Sequence, residues 1–229
     1  MKIALLGYGK MGRLVEQIAS QRGHEIVCRI DRADDSWAEV PKADLCIDFS
    51  RADAVFDHLE KCGKLGKNLV IGTTGWEMKL EEAKKRVEQS KIGVLYAPNF
   101  SIGVHLFLKI LDYGAKVMNA FAEYEVAGIE FHHSKKKDAP SGTAAEICRR
   151  MEREMGRIGR LEMTSVRLGS IPGTHQVMFD SPADTISIRH EARNREGFAK
   201  GAVQAAEWLV GKKGFYTLDD LIEGISHES

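Results

Sequence analysis

The sequence carries no surplus of either charge. Its 33 lysines and arginines balance 33 aspartates and glutamates, so no overall field would draw it to nucleic acid or to an anionic membrane surface. It also lacks a membrane-length apolar run, because its most apolar later stretch, residues 102–111, contains His105 and Lys109. The opening KIALLGYG has no signal-peptide cleavage pattern. We therefore expect a cytoplasmic protein with no nucleic-acid or membrane partner.

Cysteine is scarce and scattered. The four cysteines, Cys28, Cys46, Cys62 and Cys148, form no Cys-x-x-Cys pair and lie among apolar neighbours. This arrangement is typical of reduced, buried thiols and not of zinc ligands or a disulfide framework. We expect no bound metal.

The chain begins with a pattern typical of a dinucleotide-binding unit. The apolar run of residues 2–6 leads into the glycine turn GYGKMG and then into helically spaced apolar residues. Between a strand and a helix, the first glycine permits a tight turn, the second lets a pyrophosphate approach the backbone, and the third allows close helix–strand packing. The candidate cofactor-binding residues of this turn are Gly7, Tyr8, Gly9, Lys10, Met11 and Gly12.

A second predicted strand, residues 25–30, is followed by Asp31 and Arg32. Asp31 lies 19 residues after Gly12, where a carboxylate can bind the ribose hydroxyls of a dinucleotide. Asp31 favours NADH by accepting from a free 2′-hydroxyl, whereas Arg32 could pair with the 2′-phosphate of NADPH. The sequence therefore leaves both cofactors open. An ordinary surface Asp–Arg pair is the plainer alternative.

Strands and helices alternate up to residue 99. The later strands of this part are predicted at residues 45–49, 69–71 and 92–96. Ser50 and Asp53 resemble a capping box that opens a helix through Leu59. Repeated alternation predicts an α/β fold with a Rossmann-type doubly wound parallel sheet.

The predicted strand at residues 69–71 runs into the loop Gly72-Thr73-Thr74-Gly75. A glycine-flanked loop at this end of a parallel strand lies on the ligand-binding edge of the sheet, where backbone groups could contact a nicotinamide. A plain turn is an equal alternative when the motif is taken alone. The candidate cofactor-binding residues here are Gly72, Thr73 and Thr74.

The pattern changes after residue 99. A long apolar helix over 101–121, a strand ending at His132 and a helix ending near Met155 precede strand-like segments at 164–168, 176–179 and 185–190. This order predicts a second, α+β domain for substrate binding and oligomerisation, with a mainly antiparallel or mixed sheet. We expect a dinucleotide-binding domain of residues 1–99, completed by 196–229, and a second domain of residues 100–195.

The densest chemistry lies in EFHHSKKKDAPSGTA, residues 130–144. Ser141 resembles an N-cap before an amphipathic helix, and the amides at a helix start can hold a carboxylate. Lysines over that helix start, with titratable histidines beside them, would suit a small acidic substrate and proton transfer. The plainer alternatives are a solvated lysine run and a structural histidine.

Five motifs follow one another across nearly the whole chain. They are the glycine turn ending in KMGR, GTTG at 72–75, APNFSIGV at 97–104, EFHHSKKKDAPSGTA at 130–144 and HEARNREGFAKGA at 190–202. On these motifs the chain resembles the 4-hydroxy-tetrahydrodipicolinate reductase (dihydrodipicolinate reductase) family. The resemblance implies that NADH or NADPH reduces a small cyclic dicarboxylate, 4-hydroxy-tetrahydrodipicolinate, to tetrahydrodipicolinate in diaminopimelate and lysine biosynthesis. It also implies a homotetramer.

The resemblance assigns roles to particular residues. His132 and Lys136 match the family's proposed proton-transferring residues, without deciding between them. His133 matches a substrate-contacting position, and Gly142 and Thr143 match the helix start that holds a substrate carboxylate. That helix start agrees with the anion site argued from its amides alone. The APNF motif adds Ala97, Pro98, Asn99 and Phe100 as candidate cofactor-binding residues.

The chain departs from the family pattern in two ways. Its glycine turn is one residue shorter than in many members, and the segment between the second and third strands is also short, which leaves the preference for NADPH open. Arg167, Gly169 and His175 resemble a family loop that we interpret as structural or subunit-contacting, and Arg195 resembles a domain-junction position.

Two alternatives remain at the level of sequence. One is another Rossmann oxidoreductase, such as an aspartate dehydrogenase, which would not explain the segment 130–144. The other is a non-catalytic NAD(P)H-binding sensor. A turnover assay separates them, because a sensor binds the cofactor without oxidising it.

Overall fold

The computed structural model describes residues 1–32 and 35–227, with the backbone alone at residue 227. The strands are β1 (Lys2–Leu6), β2 (Glu25–Ile30), β3 (Leu45–Asp48), β4 (Asn68–Ile71), β5 (Gly93–Tyr96), β6 (Glu125–His132), β7 (Met163–Arg167), β8 (Thr174–Asp180), β9 (Thr185–Glu191) and β10 (Gly214–Tyr216). The helices are α1 (Lys10–Gln21), α2 (Val55–Leu65), α3 (Leu80–Ser90), α4 (Ile102–Met118), α5 (Gly142–Glu154), α6 (Glu196–Leu209) and α7 (Leu218–His227). The chain forms two compact units, Met1–Ile102 with Glu196–Ser229, and Gly103–Arg195.

The first unit is built on a parallel six-stranded sheet. Its strand order is β2-β1-β3-β4-β5-β10, and every neighbouring pair is parallel. Because β1 pairs with both β2 and β3, the order of the strands reverses at this point. The loops that follow β1 and β3 therefore lie side by side, at the crevice where open α/β sheets bind their ligands.

Helices cover both faces of this sheet. One face packs against α1, α6 and α7 through residues such as Val15, Val203 and Leu221. The other face packs against α2 and α3 through residues such as Leu59 and Val87. All four residues of β3 are buried, as expected for a parallel strand covered on both sides.

The second unit has a mixed four-stranded sheet in the order β7-β6-β8-β9. β6 is parallel to β7 and antiparallel to β8, and β8 is antiparallel to β9. The apolar stripes of α4 and α5 pack on one face of the sheet, where Val177 and Phe179 join their core. Along β6 the buried residues are Gly128, Glu130 and His132, so this strand turns two polar side chains toward the helices.

The fold class expected from sequence is confirmed: a doubly wound parallel sheet and a second, mixed sheet are both present. The capping box is wrong. The Ser50 hydroxyl donates to Asp48 at 2.6 Å and Asp53 pairs with Arg51, so neither side chain caps a helix. Helix α2 begins only at Val55, without a side-chain cap, and continues to Leu65. The three-residue strand β10 was missed.

The four cysteines are free thiols, of which Cys46 and Cys62 are buried and Cys28 and Cys148 partly buried. Burial raises the pKa of Cys28 to about 11, so this thiol is protonated at neutral pH. Within the described residues, no helix combines the length and the apolar character needed to cross a membrane.

Candidate active site

The glycine turn after β1 has no room for side chains at two positions. Gly7 has φ +91°, and a Cβ on it would lie 2.4 Å from the carbonyl oxygen of Phe49. A Cβ on Gly12 would lie 2.3 Å from the carbonyl oxygen of Gly7. Both positions therefore require glycine, the first for conformation and space and the second for close packing.

The second glycine of the turn, Gly9, faces open space. Gly9 is the residue before α1, has no side-chain cap, and a Cβ on it would meet nothing within 4 Å. The first turn of α1, which begins with Lys10 and Met11, contains no acidic residue. Amides at an uncapped helix start with a small residue in front of them fit the pyrophosphate of a dinucleotide.

Asp31 ties the end of β2 to this turn. Its Oδ1 accepts a hydrogen bond from the Tyr8 amide at 2.7 Å, and the side chain remains exposed. Asp35 accepts from the amides of Asp31 and Arg32 at 2.6 and 2.8 Å, and the hydrogen bonds from Arg32 and Asp31 lower the pKa of Asp35. The exposed pair Asp31–Arg32 is thus held beside the glycine turn by the Tyr8 amide and by Asp35.

The Tyr8 side chain is committed to a cluster on α1 and β2. Its hydroxyl donates to Glu16, which also pairs with Arg29. The guanidinium groups of Arg13 and Arg29 lie 5.3 and 5.4 Å from the centre of the Tyr8 ring. The backbone amide of Tyr8 therefore belongs to the glycine turn, while its ring packs against the guanidinium groups of Arg13 and Arg29.

The loop after β4 is fixed by a buried carboxylate. Asp48 is fully buried, and its Oδ1 accepts from the Ser50 amide at 2.8 Å, the Ser50 hydroxyl at 2.6 Å and the Thr73 hydroxyl at 2.8 Å. Its Oδ2 lies 2.8 Å from Nδ1 of His58. Thr73 thus points its side chain inward. Thr74 is exposed, so the loop presents mainly backbone groups and this side chain at its surface.

The segment after β5 combines one exposed and three anchored residues. Pro98 is exposed, whereas the Ala97 amide donates to the carbonyl of Ile71 at 3.2 Å. Asn99 Oδ1 accepts from the Ser101 amide at 2.8 Å. Phe100 is buried and packs on Phe49 with ring centres 6.0 Å apart. The predicted cofactor residues therefore all follow β1, β2, β4 or β5 at the carboxyl edge of the first sheet.

In the second unit, a second buried carboxylate holds the predicted active-site segment together. Glu130 is fully buried on β6. Its Oε1 accepts from the Ser141 amide at 2.9 Å, the Ser165 hydroxyl at 2.6 Å and Nη2 of Arg167 at 2.9 Å. These donors come from the start of α5 and from β7, so one oxygen joins three elements.

The other oxygen of Glu130 faces two histidines. Oε2 lies 3.1 Å from Nδ1 of His132 and 3.6 Å from Nε2 of His175, although neither Oε2 nor His132 Nδ1 meets hydrogen-bond geometry. The two imidazole rings are 5.2 Å apart, edge to face. The Ser141 hydroxyl lies 3.2 Å from Nε2 of His175. His132, the end of β6, is thus drawn next to the start of α5.

Burial and charge set the protonation of this cluster. Burial alone would raise the pKa of Glu130, but hydrogen bonds from Ser141, Ser165 and Arg167 lower it to about 2. Burial lowers the pKa of His132, opposed by the charge of Glu130. Burial, with His132 next to it, lowers the pKa of His175 to about 4. At neutral pH the centre therefore holds an ionised glutamate and a neutral His175.

The loop between β6 and α5 carries the remaining predicted residues. Lys136 is partly buried and its Nζ lies 2.8 Å from a carboxylate oxygen of Asp138, while Lys135 and Lys137 are exposed. His133, just beyond β6, is partly exposed. Nη2 of Arg167 also donates to the carbonyl of Asp138 at 2.6 Å. The loop is therefore anchored at its midpoint by the same guanidinium that pairs with Glu130.

The start of α5 keeps the cap predicted for it. Ser141 Oγ accepts from the Ala144 amide at 3.2 Å. Gly142 is exposed, and a Cβ on it would meet nothing within 4 Å. The first turn, which includes Thr143, has no acidic residue. This helix start fits a carboxylate ligand.

The same cluster offers ligand atoms to a cation. One atom each from Glu130, His132 and His175 lies within 4.8 Å of the others. Arg167 already balances the charge of Glu130, and Lys136 opposes further positive charge on His132. We therefore interpret the cluster as an ion-paired network and not as a cation site.

Three residues of this centre were not among the site residues predicted from sequence. Glu130 was named only as the first residue of its motif, and Arg167 and His175 were taken as structural or subunit-contacting. The signal for Glu130 was the alternation of β6, which places it on the same face as His132. For the other two there was no local signal, because their contacts join residues 37 and 34 positions apart.

Comparisons with known proteins give the same family for both units. Residues 1–100 match the model of the dihydrodipicolinate reductase N-terminus, and residues 103–222 match the model of its C-terminus. The 4-hydroxy-tetrahydrodipicolinate reductase of Christiangramia forsetii is 35% identical over 98% of this chain and 99% of its own. That of Thermosipho africanus is 37% identical over 97% and 98%.

A solved structure agrees. The dihydrodipicolinate reductase of Paenisporosarcina sp. TG-14, determined with dipicolinate bound, superimposes with a TM-score of 0.80. It is 25% identical and covers 95% of this chain and 97% of its own.

Proposed function

Because the chain belongs to the dihydrodipicolinate reductase family, we propose that the two regions described above bind the cofactor and the substrate of that family's reaction. The protein is an oxidoreductase that reduces 4-hydroxy-tetrahydrodipicolinate to tetrahydrodipicolinate with NADH or NADPH, in diaminopimelate and lysine biosynthesis. An aspartate dehydrogenase and a non-catalytic sensor are not favoured by these relatives.

The reaction replaces the 4-hydroxyl of the substrate by hydrogen. NADH or NADPH, when bound, supplies the hydride. The departing hydroxyl leaves as water, so the balance also needs one proton. The protein must therefore hold a dicarboxylate, keep a proton donor beside it and hold the cofactor.

We assign the dicarboxylate to the start of α5. The amide-rich, acid-free first turn offers Gly142 and Thr143 to one carboxylate, and His133 and Lys136 supply polar and cationic groups on the adjoining loop. The dipicolinate held by the Paenisporosarcina enzyme is a planar dicarboxylate of the same kind. Pyridine-2,6-dicarboxylate should therefore compete with the substrate of this protein.

We assign the proton to His132 or Lys136. His132 is neutral at neutral pH because burial lowers its pKa, so it must first gain a proton to act as the acid. Nζ of Lys136 lies 2.8 Å from a carboxylate oxygen of Asp138. The observation that carries the proposal is that one carboxylate, Glu130, contacts both His132 and the amide at the start of α5.

We assign the cofactor to the carboxyl edge of the first sheet. The collisions that a side chain would cause at Gly7 and Gly12, and the open space at Gly9, support this assignment. The proposed contacts are the turn Gly7–Gly12, Asp31 and Arg32, the loop Gly72–Thr74, and Ala97–Phe100.

Replacing Lys136 by Ala tests the catalytic assignment. We expect turnover to fall by about 100- to 10,000-fold, the usual contribution of a general acid, with NADH affinity near that of the wild type. Lys135→Ala is the matched control, since this exposed neighbour should tolerate the change. The measurement is turnover with enzymatically generated substrate, alongside NADH titration by fluorescence. Equal losses of turnover and NADH affinity would mean that Lys136 is structural.

We also propose a homotetramer assembled through the sheet of the second unit. Its helices cover one face, and β6 turns Ile129 and Phe131 away from them, both partly exposed. Light scattering should give four times the 25.5 kDa of one chain, and Phe131→Glu should lower that mass. A wild-type mass of one chain would contradict the proposal.

A further inference from the structure

Glu130 has no task in the chemistry assigned above, yet its side chain is fully buried. Removing a carboxylate from water costs several kcal/mol unless donors compensate it. Here three donors on one oxygen do so. An apolar side chain could fill this space without that cost. The buried charge therefore indicates a role for Glu130 in its contacts.

We propose that Glu130 is a positioning residue of the reductase: its carboxylate orients the His132 ring and, through the Ser141 amide, fixes the start of α5. The inference rests on the proposed roles of His132, Gly142 and Thr143. It adds that the proton donor and the carboxylate-binding amides are held by opposite oxygens of one side chain, so their spacing is set by a rigid group.

The geometry at His132 decides which ring nitrogen faces the substrate. Nδ1 lies 3.1 Å from Glu130 Oε2, outside hydrogen-bond geometry, so the carboxylate acts on this nitrogen through its charge and proximity. Nε2 is then the atom that exchanges a proton with a ligand. A Cβ on Gly173 would lie 3.1 Å from that Nε2. The glycine therefore leaves this edge of the ring uncovered by a side chain.

The other charges around His132 act with and against Glu130. Lys136 and Arg167 oppose protonation of the ring, whereas Asp138 favours it less strongly than Glu130 does. The neighbouring His175 stays neutral at neutral pH because burial lowers its pKa to about 4. Glu130 is thus the largest favourable charge for a protonated His132.

The contacts at the start of α5 explain the second half of the role. The Ser141 amide donates to Glu130 at 2.9 Å, and the Ser141 hydroxyl caps the Ala144 amide at 3.2 Å. Ser141 is therefore held by its backbone on one side and caps the helix on the other. Gly142 and Thr143 lie between these two fixed points, so their amides keep a constant direction.

Glu130→Gln tests the inference, because it keeps the shape and an acceptor oxygen for Ser141 but removes the charge. We expect turnover to fall on the order of 10- to 100-fold, as for loss of the outer partner of a functional histidine, with unchanged NADH affinity. NMR titration of the His132 ring is the readout that separates positioning from folding. The pKa of His132 should fall relative to the wild type. Turnover within twofold of the wild type and an unmoved titration would overturn the inference.

Ser165→Ala is the companion variant and serves if Glu130→Gln does not fold. It removes one donor from Oε1 while the carboxylate stays charged, so Glu130 acts more strongly on His132. The pKa of His132 should then rise, opposite to its direction in Glu130→Gln. An unmoved or falling pKa here would also overturn the inference. His132→Gln tests the proposed function separately. Normal turnover in that variant would show that His132 takes no part in the chemistry, whereas the His132 titrations in Glu130→Gln and Ser165→Ala would still stand.

Discussion

Asp48 in the first unit and Glu130 in the second are both fully buried carboxylates at or near the end of a strand. Each takes three donors on one oxygen and faces a histidine with the other. They differ at that histidine. His58 is hydrogen-bonded to Asp48 at 2.8 Å, whereas His132 lies 3.1 Å from Glu130 outside hydrogen-bond geometry.

The hydrogen bonds of the Asp48 network are therefore complete, whereas the Glu130 network keeps hydrogen-bonding groups without a partner. In the first unit every oxygen of the Asp48 carboxylate has a hydrogen-bonded partner, so Asp48 has a purely structural role and fixes the loop that carries Thr73. In the second, Glu130 Oε2 and His132 Nδ1 keep unmet capacity in a buried place, which is rare and typical of functional centres. The proposed cofactor region is built largely from glycine backbone, and the proposed substrate region from side-chain charge.

The largest effect should come from breaking the completed network. Asp48→Ala leaves the donors of Ser50, His58 and Thr73 without their acceptor, so we expect a loss of about 3–5 kcal/mol in the free energy of unfolding of the first unit. Trp37, Trp76 and Trp208 all lie in this unit, and their fluorescence in urea measures it.

The control for that experiment is Asp53→Ala. Asp53 pairs with Arg51 on the surface a few residues further along the chain, and we expect no measurable shift of the urea midpoint. If both variants shift the midpoint equally, the burial of Asp48 is not what stabilises the loop.

In the second unit the buried titratable groups should instead make the free energy of unfolding depend on pH. The pKa of His175 is lowered to about 4 from its usual 6.5, so the unfolded chain takes up a proton before the folded one does. Stability due to neutral His175 is therefore complete above pH 6.5 and is lost as the pH falls to about 4, amounting to about 3 kcal/mol. His175→Gln should flatten this loss while leaving stability at pH 7.5 within the usual range of a conservative change.

The measurement is the urea midpoint by circular dichroism at pH 7.5 and 4.5. His132 and His190, whose pKa values burial also lowers, add to the same slope, so the variant should reduce the slope without removing it. Glu130, whose pKa is lowered from 4.5 to about 2, loses its contribution mainly below pH 4.5, at the lower edge of this window. An unchanged slope in His175→Gln would contradict the neutral state assigned to this ring.

The same contrast explains what sequence could and could not predict. The strand and turn that end at Gly12, and the cap at Ser141, depend on neighbouring residues, and local patterns found them. The partners of Glu130 are separated from it by 11, 35 and 37 positions, so no local pattern contains them. The predicted capping box was wrong because the Ser50 hydroxyl donates to Asp48, a buried residue of the preceding strand, and does not cap the helix. Strand β10 is only three residues long and forms by pairing with β5.

The smallest effect concerns Asp31, a side chain of the proposed cofactor region that we expect to favour NADH over NADPH. Asp31 accepts from the Tyr8 amide with Oδ1, so Asp31→Ala removes both that anchor and a ribose contact. We expect about tenfold weaker NADH binding, or about 1.4 kcal/mol, and a smaller loss for NADPH. Asp31→Asn is the matched variant, since its oxygen can still accept from Tyr8 while the charge that repels a 2′-phosphate is gone. Fluorescence titration of both cofactors should therefore show NADPH gaining on NADH in each variant, but weaker binding overall only in Asp31→Ala. An unchanged ratio in both would move the ribose contact away from Asp31.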